Sequence, residues 1–144
     1  MNAIMHRIEF NQDPQTLYQA LTDVKQLSGW WTRVEHANGD PERLRFYFGP
    51  NGEHTVDMAV REARPNELVV WRCEAGPWTQ TGDFRFEIQA LERGCALSFT
   101  HSGWSESDDF FRHCNSKWGY FFTVSLKQLV ETGTGHPHPQ DPDI

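Results

Sequence analysis

Hydrophobic positions along this chain repeat with two periods, and the switch between them divides it into parts. Ile4, His6, Ile8 and Phe10 alternate with Met5, Arg7 and Glu9, the spacing of a strand with one largely apolar face. Asp13 followed by Pro14 is a helix start, and Leu17, Ala20, Leu21 and Val24 supply that helix with a buried edge. A second short helical turn carries Leu27 and ends at Ser28 and Gly29, directly before Trp30 and Trp31. Two adjacent tryptophans at a helix end are expected to face different ways, leaving one partly exposed at a rim.

From Arg33 onward the period is two. Leu44, Phe46 and Phe48 share one face, as do Val56, Met58 and Val60 after a turn over Gly49–Glu53. Val69, Trp71 and Cys73 alternate with Leu68, Val70 and Arg72. A loop over Gly76–Gln80 carries Trp78. Phe84, Phe86 and Ile88 follow, then Cys95, Leu97, Phe99 and His101 after a tight connection at Glu92–Gly94. The pattern predicts about six or seven strands, and their short connections make neighbours antiparallel.

The period returns to helical over Ser105–Thr132. With Phe111 at the origin of a helical wheel, Cys114, Trp118, Phe121, Phe122, Leu126 and Leu129 lie within about 80° of it. Arg112, His113, Ser116, Lys117, Lys127 and Glu131 fall on or towards the other side. The helix is expected to run for roughly 26 residues, or about 39 Å, with Ser105 as its cap and Gly133 as its stop. Asn115 and Ser125 interrupt the apolar stripe. Ser125 is expected to bond its own helix. Asn115 is open between a buried hydrogen bond and a place in a cavity.

Composition narrows the class. A chain of 144 residues is expected to form one domain, here residues 1–132. Residues 133–144, with alternating histidine and proline and an acidic end, have little to bury and are expected to be disordered. Thirteen basic against twenty acidic side chains give a net charge of −7, which argues against nucleic acid and anionic membranes as partners. No window has the length of a membrane span, and residues 1–10 lack the apolar core of a signal peptide. Cys73, Cys95 and Cys114 form no close pair and read as reduced thiols of a cytoplasmic protein. No phosphate loop, cofactor motif or functional metal site is expected; His136 and His138 could bind nickel or copper casually but are too weakly organised for a functional site.

The order of strand, two short helices, antiparallel meander and one long helix resembles the helix-grip fold of the START-like superfamily, in the branch related to the activator of the heat-shock protein 90 ATPase. The resemblance spans about residues 3 to 131. It is carried by the Ile4–Phe10 strand and Asp13–Leu21, by Gly29, Trp30 and Trp31, and by Leu68–Trp71. Leu97, Phe99–Gly103, Trp118–Phe121, Leu126 and Leu129 complete it. It implies an α+β fold, with a curved antiparallel sheet wrapped around the C-terminal helix and an apolar cavity between them. Its relatives bind lipids or hormones, cyclise polyketides, or assist a chaperone, so it implies a shape more firmly than a job.

Within that frame the expected ligand is a small apolar or aromatic molecule. Phe46, Phe48, Trp71, Phe84, Phe86, Phe99, Trp118 and Phe122 would line the site, with Trp31 and Trp78 near its mouth and Asn115 and His101 as polar groups. For any single ring, plain core packing is the simpler account. Aromatic residues reach 13%, however, and rings at that density on a curved sheet tend to leave a void. His101 is the only candidate for catalysis, as a general acid or base; the alternative for it and for His6 is a buried neutral imidazole. His54 shares the inward parity of Val56 and Met58. Two other readings stand beside ligand binding: a chaperone-regulating interaction module, and a cyclase, dehydratase or hydrolase acting on an apolar substrate. Oligomeric state is open between monomer and homodimer.

Overall fold

The computed structural model describes residues 2–144. Seven strands form one antiparallel sheet: β1 (Asn2–Phe10), β2 (Val34–His36), β3 (Arg43–Phe48), β4 (His54–Arg64), β5 (Leu68–Ala75), β6 (Phe84–Ala90) and β7 (Cys95–Trp104). Their spatial order is β1-β7-β6-β5-β4-β3-β2, a meander closed at one edge by the first strand, which pairs with the last. The predicted alternation sets the inner face. Ile4, Ile8 and Phe10 of β1 are buried, as are Leu44 and Phe46 of β3 and Phe84 and Phe86 of β6. Register shifts in β4, between Asp57 and Met58 and between Val60 and Glu62, add local twist of the kind that curls a sheet.

Helices α1 (Pro14–Thr22) and α2 (Val24–Trp30) follow β1. Asp13 caps α1 by accepting from the Thr16 N–H, and Asp23 caps α2 by accepting from that of Gln26. Trp31 caps α2 in the right-handed helical region, at φ −104°, ψ −75°, with its N–H on the Leu27 carbonyl. The Trp30 and Trp31 rings lie nearly parallel, 20° apart with centroids at 6.3 Å. Both are therefore buried, and neither is the exposed rim residue expected. Trp30 donates Nε1–H to the Ala20 carbonyl at 2.7 Å.

The C-terminal helix runs continuously through α3 (Asp109–Tyr120), a π-helical stretch (Phe121–Leu126) and α4 (Lys127–Thr132). It begins three residues later than the Ser105 cap predicts, because Asp108 accepts from the Phe111 N–H at 3.0 Å. Gly133 stops it as expected, at φ +92°. In the π stretch each turn is wider. Phe121, Phe122, Ser125 and Leu126, two adjacent pairs, are all buried there. Ser125 does not bond its own helix: its hydroxyl donates to the Trp30 carbonyl at 2.6 Å and accepts from the His136 N–H at 2.8 Å.

Residues 133–144 do not behave as the composition suggests. Gly135 passes so close to α2 and the C-terminal helix that a Cβ there would stand 2.4 Å from the Gly29 carbonyl oxygen. Beyond it the His138 N–H donates to the Trp31 carbonyl at 2.7 Å, and Lys117 Nζ meets Asp141 Oδ2 at 2.6 Å. A segment with few apolar side chains is thus held by polar bonds to the body, which a reading based on hydrophobic burial omits. We refer to it as the strap. Among the described residues, no helix is long and apolar enough to cross a membrane. Cys73, Cys95 and Cys114 are free and buried.

Candidate ligand cavity

Side chains of the inner sheet face and of the long helix meet ring to ring. Trp71 lies 4.6 Å from Phe86, Phe86 5.0 Å from Phe99, and Phe99 4.8 Å from Phe122, between ring centroids. Trp118 stacks on Phe122 at 5.0 Å and 11°, and Trp31 joins Phe46 at 4.5 Å and Trp118 at 4.8 Å. Such pairs contribute roughly 0.5–1.5 kcal/mol each beyond the area they bury. Six of the rings proposed as lining (Phe46, Trp71, Phe84, Phe86, Phe99 and Phe122) spend their faces on one another and form the core behind the site.

At the end of that core a cavity of about 580 Å³ opens to solvent. Trp31, Phe48, Trp78 and Trp118 line it, so four of the sequence candidates come together there. Val56, Cys114 and Phe121 add apolar wall. Its lip carries Glu53, His54, Thr55, Pro77, Phe110, His113 and Lys117, together with His138 and Asp141 of the strap. Five segments thus build it: the end of α2, the β3–β4 turn with its flanking strand ends, the loop before β6, one face of the long helix, and the strap.

The loop bearing Trp78 is held in place by its far end. The Gly82 N–H donates to the Ser102 carbonyl at 2.8 Å, and Gly103, at φ +79°, lets the two backbones touch. A Cβ on Gly103 would lie 2.4 Å from the Gly82 nitrogen. Thr81 donates its hydroxyl to the Trp78 carbonyl at 2.8 Å and receives the His101 Nε2–H at 2.7 Å. His101 is therefore neutral with its proton on Nε2, stacked on Phe84 at 3.6 Å and wholly buried. Its Nδ1 and the Nε1 atoms of Trp78 and Trp104 have no hydrogen-bond partner in the structure. Desolvation pushes the His101 pKa down to about 3. It is not among the residues that line the cavity, and it is a core histidine rather than a proton-transfer group at the site.

Asn115, left open by the sequence, is exposed on the opposite flank of α3 and does not reach the cavity. His6 faces that helix near Gly119, and burial lowers its pKa. His54, expected among apolar neighbours, is exposed at the lip. Cys114 is the one thiol in the wall, and burial pushes its pKa up to about 11, so it presents a thiol and not a thiolate nucleophile. The arrangement can bind and orient an apolar body; it offers no nucleophile paired with a base.

At the lip the Asp141 side chain is 7% exposed and that of Lys117 20%. The His138 imidazole donates Nδ1–H to Asp141 Oδ1 at 2.7 Å and accepts the Gly49 N–H on Nε2 at 3.2 Å. Burial alone would raise the Asp141 pKa, but hydrogen bonds from Lys117 and His138 outweigh it and hold the carboxyl below its usual range. Sequence reasoning missed Lys117 because the wheel puts it off the apolar stripe. It missed Asp141 because the strap was read as disordered.

A curved antiparallel sheet gripping a long helix, with a cavity at one end, defines a START-like, helix-grip protein. The family model for Activator of Hsp90 ATPase homolog 1-like proteins matches residues 11–131, and the chain belongs to that family. It is similar to the Aha1 of Colwellia psychrerythraea, solved in solution as a dimer. That protein shares 33% identity with a TM-score of 0.81, over 94% of this chain and 100% of that one. A protein of Mesorhizobium loti has the same fold at 16% identity and TM-score 0.75, over 90% of this chain and 96% of its own. No curated protein matches the chain.

Proposed function

We propose that the protein binds a small apolar or aromatic molecule in the cavity between the sheet and the C-terminal helix. The observation that carries this is the cavity's volume, about 580 Å³, which lies within the roughly 300–1,000 Å³ span of ligand sites. Three indole rings line its wall, where an aromatic ligand gains stacking as well as burial. The test is a thermal-shift screen of ligand-free protein against fatty acids, sterols and flavonoids. A ligand at about 100 times its dissociation constant adds about 2.7 kcal/mol. It should also quench tryptophan emission, since Trp31, Trp78 and Trp118 face it. His54→Trp, a plug at the exposed lip, should remove the shift and leave the unliganded melting temperature in place. Binding that ignores the plug, or no binding across the panel, refutes the reading.

A protein partner is the second reading. It is favoured by the family's description and by the Colwellia relative, which was solved as a dimer. A panel without hits, together with near-stoichiometric recovery of a chaperone or a dimer, would favour it over ligand binding. An enzymatic role would need a reactive group other than His101.

A further inference from the structure

The strap places a carboxylate in the lip of an otherwise apolar cavity. The Asp141 side chain is more than nine-tenths buried, yet it comes from a segment with no regular secondary structure. A buried carboxylate is costly unless charge and hydrogen bonds compensate it. Here they do: Lys117 Nζ at 2.6 Å supplies the charge and His138 Nδ1–H the second bond. Lys117 is the only lysine or arginine among the described residues lining the cavity. Glu53, the other acid there, is turned into its own loop, where it accepts the Asn51 N–H at 2.9 Å. The spot beside Trp118 that Asp141 fills is therefore complementary to one carboxylate.

We propose that the cavity's ligand is an amphipathic carboxylate. Its apolar body lies against Trp31, Trp78 and Trp118, and its carboxylate replaces that of Asp141 on Lys117. The strap is then an intramolecular competitor that the ligand displaces. This rests on the cavity-binding reading above. The strap's root is pinned by Gly135 and by the His136 N–H on Ser125. Displacement therefore involves only the tip, from His138 onward. A tethered competitor acts at an effective concentration of about millimolar and lowers the apparent affinity by the fraction of time the tip is seated.

Calorimetric titration with naphthylacetate and its neutral isostere naphthylacetamide, and with dodecanoate and its amide, tests this. The proteins are the full chain, Asp141→Asn, Lys117→Gln and the double variant, each shown to be folded by near-ultraviolet circular dichroism. Asp141→Asn should tighten the carboxylates by about tenfold and the amides by much less. Lys117→Gln should abolish the preference for carboxylate over amide. In its background Asp141→Asn should then change nothing. If Asp141→Asn shifts acid and amide equally, or if the preference survives Lys117→Gln, the carboxylate assignment is wrong and the cavity reading stands. If no compound binds any variant, both fall.

Discussion

Acidification isolates His101. Its unfolded-state pKa is 6.5 and its folded value about 3. Between those values the unfolded chain takes up a proton that the folded chain refuses, so stability rises with pH across the window and is lost as pH falls from 6.5 towards 3. The burial that causes the shift is complete, and Phe84 stacked on the ring leaves a cation no solvent. The slope is about 1.4 kcal/mol per pH unit for one proton. Going from about pH 7 to about pH 4.5 should then cost roughly 2.5 kcal/mol through this group alone. Asp13, Glu53 and Asp141, whose carboxyls are held below their usual range, also lose stability in acid, so the wild-type curve alone does not decide. The comparison is with His101→Gln, which keeps an N–H for Thr81 and cannot titrate. Urea unfolding followed by tryptophan fluorescence at stepped pH gives both curves. Their difference should close by about 2.5 kcal/mol over that interval. Parallel curves would show that the ring is hydrated or already protonated in the folded state, and would refute the argument.

Three further substitutions probe how the site is framed. Ser125→Ala removes one hydroxyl that serves two partners, leaving the Trp30 carbonyl and the His136 N–H unbonded. It should cost about 1–3 kcal/mol in chemical denaturation, and an unchanged midpoint would show that the strap root is not fastened there. Gly103→Ala meets both a positive φ of +79° and the Gly82 nitrogen at 2.4 Å, whereas Gly133→Ala meets a φ of +92° and open space. The first should cost at least about 2 kcal/mol more than the second and disturb emission from Trp78. Equal costs would mean that the contact between the two backbones relaxes freely.

The sheet and the long helix were legible because each buries one face, and burial writes its period into the chain. Ile4, Ile8 and Phe10, or Cys114 and Trp118, needed nothing beyond spacing. What failed were features decided by polar atoms or by tertiary fit. Ser105 and Asp108 are both acceptable caps, and the turn after β7 chooses between them. Trp30 and Trp31 stack nearly parallel and are both buried, a tertiary fit that no period records. Lys117 sits off the apolar stripe by angle, but a long side chain carries its charge to a boundary its Cα does not occupy. The strap has few hydrophobic residues, and its hold comes from Ser125, Lys117, the Trp31 carbonyl and the Gly49 N–H, which only the fold assembles.

The aromatic abundance that suggested a void packs against itself at the centre of the molecule. Rings at 4.6–5.0 Å along Trp71, Phe86, Phe99 and Phe122 already make the contacts a ligand would make. Space remains where that stack ends and the walls pass to a turn, a loop and the strap. On the proposed reading the rings fix where a ligand lies, and the groups at the lip fix which ligand. A methylene more or less in an apolar pocket discriminates by only about 1–3 kcal/mol. A carboxylate that must replace Asp141 on Lys117 is subject to a stricter rule, because a neutral analogue would leave an ammonium group in the wall without its counter-charge. On the proposed reading, the selectivity of this cavity is concentrated in Lys117 and in the segment that competes for it.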